Sequence, residues 1–377
     1  MPIYTFSLQA ITDQQPLAGD LLRLLGWLAP SPLPRDVLRE LPTDLSEDPF
    51  AVEEALALLH DYSMITLTRR TVAVHALVQA VARAPDAADP NRTGEAIARA
   101  RRYATEMLER ALPENPLLNI SGWSRWRELL PHLRALTDRT PAEGDLCVAG
   151  LLVAASGFLQ GDGSPATAVS CAQRAVTIYR RLEGSDHPDT LFARSFLASA
   201  HRAAGDLDSA APLHEQLLAD HERLHGPDHP DTLTARANLA YLHGLRGQSA
   251  AARDLHERNL TDMQRVYGSD HPHTVNARAN LAAAYRDLGE VQKAIGLHRE
   301  AVADSERVHG PDHPETITAR SNLACALHLA GDFDAALTLH GRVLADRERL
   351  YGHEHHLTDL AREFFQGTRT ARDREQR

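Results

Sequence analysis

Hydrophobic and small residues recur three and four positions apart through most of the chain, which is the spacing of one face of an α-helix. In the clearest stretch, an amphipathic run at residues 230–245 is followed by Gly247 and by a second run at residues 249–267 that stops at Gly268. A glycine permits the turn between two helices and ends the second one. The pattern therefore predicts helical hairpins, and a hairpin of this size must stack against neighbours to bury its apolar face.

The hairpin recurs with a period of 42 residues. The dipeptide His-Pro marks this period at 187/188, 229/230, 271/272 and 313/314. It lies within the motif Gly-x-Asp-His-Pro-x-Thr, and a fifth copy at residues 352–358 lacks the proline. The proline suits the first position of a helix, and the Asp-His pair before it is expected to cap the open amides. Other residues keep the same period: Asn238, Asn280 and Asn322; Gly205, Gly247, Gly289 and Gly331; His214, His256, His298 and His340.

Residues 1–90 do not share this period. They show three helical patterns, then two alternating strand-like runs joined at Arg69-Arg70, then a closing helical pattern. Three helices followed by a two-stranded wing is the order of a winged helix. The predicted segments are helices at 17–29, 34–41 and 50–62, strands at 64–68 and 71–74, and a closing helix at 75–84.

The chain as a whole is predicted to be all-α, with its repeats stacked into a superhelix. The last segment is expected to hold a capping helix at residues 357–365 and a frayed tail at residues 368–377. The predicted domains are a winged-helix-like domain at 1–90, degenerate helical repeats at 91–183, four 42-residue repeats at 184–351, and the capping helix with its tail at 352–377.

The repeated unit resembles the tetratricopeptide repeat in the 42-residue form known from kinesin light chains. That family has an asparagine-leucine-small triplet in the first helix of each hairpin, a glycine at the turn and a small residue early in the second helix. The first repeat departs from the pattern, because Phe196 replaces the asparagine. The matching residues are Asn238-Leu-Ala, Asn280-Leu-Ala and Asn322-Leu-Ala, followed by Gly247, Gly289 and Gly331 and by Ala252, Ala294 and Ala336.

The N-terminal unit resembles the winged-helix module that joins the nucleotide-binding module to the repeats in bacterial STAND-type, NB-ARC-like switch ATPases. The resemblance rests on residues 24–34, 63–67 and 74–81. The ATPase module itself does not occur in this sequence, and we expect it to be supplied by another chain or to have been lost. The resemblance implies a sensor or regulatory arm.

The resemblance to tetratricopeptide domains implies that Asn238, Asn280 and Asn322 lie on a concave surface and hydrogen-bond an extended peptide. An amide both donates and accepts, so it can satisfy a peptide backbone without a charge match. The alternative is that these amides bond the adjacent helix and only hold the spacing of the repeats. Residues expected to share the groove are Thr234, Tyr241 and Leu245 beside Asn238, Asn276 and Asp287 near Asn280, Thr318 and Cys325 near Asn322, and Phe192 and Phe196 at an apolar N-terminal end.

Arg236, Arg278 and Arg320 stand two residues before these asparagines, about 200° around the helix. They are therefore expected to bridge neighbouring repeats and not to share the peptide-binding face. The periodic histidines are likewise expected to cap and pack helices, because equivalent rings one repeat apart are too far from each other to share one metal ion.

No catalytic residues, metal site or cofactor are expected. The chain has one lysine, Lys293, and it lacks the Gly-Lys-Ser/Thr sequence of a phosphate-binding loop. Residues 221–225, His-Glu-Arg-Leu-His, fit the HExxH pattern of zinc hydrolases. Equivalent positions in other repeats hold unrelated residues, so we interpret the match as an ordinary helix ending, and a zinc-dependent hydrolase is the remote alternative.

Composition and charge limit the classes of partner that the 377-residue chain is expected to bind. Its 43% hydrophobic and 24% charged residues are ordinary for a globular protein, and its three cysteines and ordinary N-terminus favour the cytoplasm. The formal net charge of −11 disfavours nucleic acid and anionic membranes. Sequence alone thus predicts a non-enzymatic protein-binding scaffold, or a sensor arm that works with an ATPase in trans. The alternative is a DNA-binding regulator that uses the winged helix.

Overall fold

The computed structural model describes residues 2–86, 89–117, 119–141 and 144–377, and the chain divides into two compact units, Met1–Gly205 and Asp206–Arg377. Most of the described residues are helical, and the only sheet among them has three short strands. None of the described helices is long and apolar enough to cross a membrane.

The first unit begins with a small helical domain that carries the sheet. Its strands are all antiparallel in the order β1-β3-β2, with Leu33 opposite Val72 and Ile65 opposite Val74. The apolar faces of the helices close over the sheet and form one core. The elements are α1 (Pro2–Gln14), α2 (Pro16–Leu25), β1 (Leu33–Pro34), a 3-10 helix (Arg35–Glu40), α3 (Pro49–Asp61), β2 (Ile65–Leu67), β3 (Thr71–Val74) and α4 (Ala76–Arg83).

These elements follow the predicted order, although α2 ends four residues before the predicted boundary and the second helix is a 3-10 helix. Two elements were missed by the sequence analysis. Helix α1 is fixed by long-range packing, since Leu8 and Ile11 are buried in the core. Strand β1 has only two residues, one of them Pro34, so it shows no alternation. Membership of this domain in the winged-helix family stays a prediction.

The rest of the first unit consists of five helices around a large aromatic core. Trp126 is only 1% exposed and stacks on Phe158 with ring centroids 5.3 Å apart. Gly161 is required where it stands, because a Cβ there would lie 2.6 Å from the ring of Trp123. The helices are α5 (Gly94–Ala111), α6 (Trp123–Arg139), α7 (Leu146–Gly161), α8 (Pro165–Glu183) and α9 (Pro188–Ala203).

The second unit is an array of eight helices in which each packs against the next. The predicted helices at 230–245 and 249–267 are confirmed at both ends. The first helices of neighbouring hairpins also touch, as α11 does with α13 and α15 with α17. The helices are α10 (Leu207–His225), α11 (Pro230–Leu245), α12 (Ser249–Tyr267), α13 (Pro272–Asp287), α14 (Val291–His309), α15 (Pro314–Leu329), α16 (Phe333–Tyr351) and α17 (His356–Glu375).

The Gly-x-Asp-His-Pro-x-Thr motif forms the turn from one hairpin to the next. Gly310 ends α14 with φ 88°, in the left-handed region that favours glycine, and its carbonyl accepts a 2.7 Å hydrogen bond from the buried hydroxyl of Thr316. His313 caps α15, since its Nδ1 accepts the backbone N–H of Glu315 at 3.2 Å. The aspartate does not cap as expected: Asp312 instead binds Arg349 at 2.6 Å.

The threonine of this turn gives a direct test of its importance. We expect Thr316→Val to lower the free energy of unfolding by about 1 kcal/mol, because the partly buried Gly310 carbonyl would lose its donor while the side-chain volume stays the same. The control is Thr318→Val, since Thr318 is exposed and its hydroxyl bonds only Pro314 O of its own helix. Urea unfolding followed by circular dichroism measures both variants, and equal losses would contradict this role of the turn.

Two of the three arginines expected to bridge repeats do so. Arg236 on α11 is 6% exposed and binds Asp262 on α12 at 2.6 Å and Glu222 on α10 at 3.4 Å, and Arg320 on α15 binds Glu306 on α14 and Asp346 on α16. Arg236 and Arg320 therefore join the second helix of their own hairpin to that of the hairpin before. Arg278 differs from the expectation, because its partners Glu300 and Asp304 both lie on α14 of its own hairpin.

The tail at residues 368–377 differs from the expected frayed segment, because α17 continues to Glu375. Its apolar face explains the difference. Ala361 and Thr368 are buried, Phe365 packs beside Gly341, and Thr368 Oγ1 lies 2.9 Å from His328 Nδ1. The helix thus docks on the last hairpin along most of its length.

Candidate functional site

The three periodic asparagines project from successive first helices of the second unit, α11, α13 and α15. Asn238 and Asn280 are exposed and Asn322 is half-buried. No side-chain hydrogen bond joins any of the three amides to another residue in the described part of the chain. The following leucines, by contrast, are buried in the array. The helix geometry therefore leaves one amide per hairpin with its hydrogen-bonding groups available.

The other candidate residues of the second unit lie at the surface of the same three helices. Tyr241 and Leu245 are 53% and 47% exposed, and Thr234 is exposed one turn before Asn238. On α13, Asn276 and Asp287 are exposed, and Asp287 accepts a 3.0 Å hydrogen bond from Arg286. On α15, Thr318 is exposed and Cys325 is half-buried.

Phe192 and Phe196 belong to the first unit, where both lie on α9. Phe192 is 57% exposed, and its ring centroid lies 4.9 Å from that of Phe196. The ring of Phe196 packs over Gly157, where a Cβ would lie 3.0 Å from the ring. Phe192 thus leaves apolar area at the surface of this unit, whereas Phe196 is half-buried, and their role at the apolar end of a groove stays a prediction.

In the second unit, a pocket of about 680 Å³ opens at the C-terminal end of the array, between α13, α15, α16 and α17. Its apolar part includes Cys325, Leu329 and Phe364, and Leu329 is 57% exposed. Burial raises the pKa of Cys325, so its side chain is an uncharged thiol at neutral pH. The pocket can therefore accept an apolar group beside the last asparagine of the series.

Charged residues stand at the rim of the same pocket. Arg286 and Arg374 contribute two positive charges against one negative charge from Glu363. The ring of Phe364 stacks on buried His340 with centroids 5.8 Å apart, which fixes the wall. Burial lowers the pKa of His340 to about 4, so this imidazole is neutral at neutral pH.

Cys325 is a predicted site residue, but the pocket residues of α17 were not predicted: Glu363 and Phe364 lie in the expected capping helix, and residues from Thr368 onwards lie in the segment that was expected to fray. The pattern held a usable indication: Ala361, Phe364, Thr368 and Ala371 keep the three-and-four spacing of an apolar helix face. The predicted capping helix ended at residue 365, before Thr368 and Ala371.

The HExxH pattern lies at the C-terminal end of α10. Its glutamate, Glu222, is held at 3.4 Å by buried Arg236 and so is engaged in an ion pair between helices. Among the described residues, two groups of side chains lie close enough to share a metal ion: His221, His225 and Asp231, and Glu183, His187 and Asp189. The contribution of Asp231 was not foreseen from the sequence.

The surface available for DNA in the first unit is largely acidic. Glu53, Glu54 and Asp61 are exposed on α3, the third helix before the strands. Arg69 and Arg70 lie in the turn between β2 and β3, and Arg35 is already paired with Glu53. Because phosphate contacts supply much of the affinity for DNA, this distribution of charge disfavours the DNA-binding alternative.

Comparison with known proteins identifies the helical array. The sequence profile described as tetratricopeptide repeat matches residues 148–220, 195–261, 246–304 and 278–349, which together cover more than half of the chain. No curated protein matches the sequence.

Several solved structures are similar to the chain. One is a kinesin light chain protein with nearly identical TPR-like repeats from Podosopora anserina, with 27% identity, 52% of this chain and 93% of that chain covered, and a TM-score of 0.48. Another is BtubC from P. vanneervenii, with 22% identity, coverage of 65% and 92%, and a TM-score of 0.48. A third is a STAND protein with a tetratricopeptide repeat sensor from Pyrococcus horikoshii, with 11% identity, coverage of 94% and 60%, and a TM-score of 0.47.

Proposed function

The chain belongs to the tetratricopeptide repeat family, and on this premise we propose that it is a non-enzymatic protein-binding module. In this proposal the surface formed by α11, α13, α15 and α17 binds an extended segment of a partner protein. The observation that carries the proposal is the series of Asn238, Asn280 and Asn322, equivalent amides that lack hydrogen bonds to other described residues.

An extended peptide presents alternating backbone donors and acceptors along its length. Each asparagine amide offers both kinds of group, so successive amides can satisfy successive peptide units regardless of the peptide sequence. Tyr241 and Leu245 supply exposed apolar area beside the first amide. Hydrogen bonds of this kind hold the backbone, and the choice among peptides falls to the side-chain pockets.

The pocket at the C-terminal end of this surface can discriminate among peptide side chains. Its apolar wall of Leu329 and Phe364 suits an apolar side chain, and Arg374 at its rim suits a carboxylate, whereas Arg286 already donates to Asp287 at 3.0 Å. We therefore favour a partner segment that presents an apolar residue next to an acidic residue or a chain terminus.

The test uses a peptide selected from a random display library against the wild-type chain. We expect Asn238→Ala, Asn280→Ala and Asn322→Ala together to weaken the affinity of that peptide at least about tenfold, since each lost hydrogen bond costs about 0.5–1.5 kcal/mol. Fluorescence polarisation measures the affinity.

The matched control replaces three exposed arginines of the second helices, Arg258, Arg299 and Arg342, by alanine. These residues lie on α12, α14 and α16 and should not affect the affinity. Equal binding by the wild type and the asparagine variant would place the peptide elsewhere, and an equal loss in the control would point to a general effect on the fold or charge.

We further propose that the module serves as the sensor arm of a STAND-like system whose ATPase is a separate chain. This finer proposal rests on the resemblance of residues 24–34, 63–67 and 74–81 to the module between ATPase and repeats. Co-purification from the source cell, followed by mass spectrometry, tests it. Recovery of a partner that contains a phosphate-binding loop would support the sensor arm, whereas a specific partner without one would contradict it and leave the binding module in place.

A further inference from the structure

Two histidines and a carboxylate converge where α10 ends and α11 begins. His221 and His225 lie one helical turn apart on α10, with ring centroids separated by 5.7 Å. Asp231 lies in the first turn of α11. One potential ligand atom from each of the three residues lies within 4.8 Å of the others. All three residues belong to the second compact unit.

The donors are available for binding. Nδ1 of His221 is buried and has no hydrogen-bond partner among the described residues. His225 and Asp231 are exposed at the surface, where Asp231 Oδ2 lies 3.6 Å from Nδ1 of His229.

The neighbouring His229 fixes the surroundings of these donors. Its ring stacks on that of His225, with centroids 4.4 Å apart. Its Nδ1 accepts the backbone N–H of Asp231 at 3.3 Å and thereby holds the first turn of α11 in place. The helix end and the turn that carry the donors are thus positioned by contacts that do not use the donor atoms of His221.

The periodicity of the array shows that packing does not require these donors. Position 221 is occupied in the other hairpins by Tyr179, Met263, Ser305 and Arg347, and position 225 by Glu183, Tyr267, His309 and Tyr351. The same fold therefore forms around apolar, polar and charged residues at both positions. Only the hairpin that ends at residue 225 combines two histidines with an aspartate in the next helix.

We propose that His221, His225 and Asp231 bind one divalent transition metal ion, with Zn²⁺ as the expected occupant. Two imidazoles and one carboxylate are a donor set that Zn²⁺ accepts, at metal–ligand distances of about 2.0–2.2 Å. Donors around a tetrahedral ion stand about 3.4 Å apart, so rotation of the exposed His225 and Asp231 side chains closes the site. The fourth position is left for water or for a donor from a partner.

The site is a binding site and not a hydrolytic one. In HExxH hydrolases the glutamate serves as general base, but Glu222 is paired with Arg236 at 3.4 Å. The ion would instead fasten the end of α10 to the beginning of α11 and restrain the turn between two hairpins. This inference is independent of the proposed peptide-binding surface, because none of its ligands lies among the candidate peptide-binding residues.

The test titrates Zn²⁺ into the chelator-treated full chain in competition with a chromophoric chelator. We expect one tight equivalent in the wild type and an affinity at least about tenfold weaker in His225→Gln and in Asp231→Asn. Saturating Zn²⁺ should raise the Tm of the wild type by about 5 °C and leave that of His225→Gln unchanged. Both substituted residues are exposed, and circular dichroism in chelator checks that the variants fold.

Two further variants separate this site from other histidines. His309→Gln removes the equivalent of His225 two repeats later, and His187→Gln removes the histidine of the other close group, which already bonds Glu183 at 2.7 Å. Both should retain the tight equivalent. The proposal is overturned if tight binding survives His225→Gln and Asp231→Asn, or if it is lost with His187→Gln or His309→Gln.

Discussion

Lowering the pH from 7 to 5 is expected to destabilise the helical array of residues 206–377 by about 6 kcal/mol. The cause is a set of equivalent histidines in the second helix of each hairpin: His256, His298 and His340 are 5%, 2% and 2% exposed. Desolvation by burial lowers the pKa of each one from 6.5 to about 4. These residues are neutral inside the fold and become charged when the chain unfolds in mild acid.

The direction follows from proton binding. Because the unfolded state binds more protons than the folded state between pH 6.5 and 4, stability is complete above pH 6.5 and falls as the pH drops through that window. Each histidine contributes about 2 kcal/mol of loss by pH 5, and the three lie in separate hairpins, so the losses are taken as additive. Arg265 lowers the pKa of Asp228 from 3.8, so stability from that carboxylate is lost only in stronger acid.

The matched variant is His298→Leu, since neither ring nitrogen of His298 has a hydrogen-bond partner among the described residues. We expect it to resemble the wild type at pH 7 and to be more stable than the wild type by about 2 kcal/mol at pH 5. Urea unfolding at pH 7, 6 and 5 measures the difference. Parallel pH profiles for the two proteins would show that the buried imidazole is not the cause.

Replacing Arg320 by methionine is expected to cost about 3 kcal/mol of the free energy of unfolding. The side chain is 1% exposed and lies between two helices. It donates to Glu306 on α14 at 3.1 Å, to Asp346 on α16 at 3.3 Å and to the carbonyl of Pro311 at 2.8 Å. Methionine keeps most of the volume but removes the buried donor from Glu306 and from the carbonyl of Pro311, whereas Asp346 keeps its hydrogen bond from Arg349 at 3.2 Å.

The control is Arg349→Met, because Arg349 also bridges elements but its side chain is 52% exposed. Water screens an exposed pair, so this variant should lose much less stability. Hydrogen exchange of the α15 amides gives a local measurement, and protection there should fall in Arg320→Met only. Similar protection in the two variants would mean that burial does not distinguish the two bridges.

The helix boundaries of the repeats could be predicted closely because each repeat carries the same residue types at its helix ends. A glycine, a capping histidine and a helix-starting proline fix the helix ends, and the predicted ends of α11 and α12 agree with the structure. The bridging role of Arg236 and Arg320 also followed from their angle around the helix, since they stand two positions before Asn238 and Asn322 and so face another side of the helix.

Contacts between distant segments could not be predicted in the same way. The pairing of β1 with β3 depends on residues about 38 positions apart and on a strand of two residues. Asp231 joins His221 and His225 only because the turn brings the start of α11 back to the end of α10. The pocket walls from α17 depend on the docking of that helix against α15 and α16. Local helix preferences do not specify such a docking.

The turn and the arginine bridges have an evolutionary consequence. Since the turns between hairpins are built from equivalent residues, removing or duplicating one whole 42-residue segment restores the same turn at the new junction. Arg236 would find Asp304 in the place of Asp262. Recombination between the repeats of the gene can therefore lengthen or shorten the array of hairpins. Such a change needs no substitution in the turns between them.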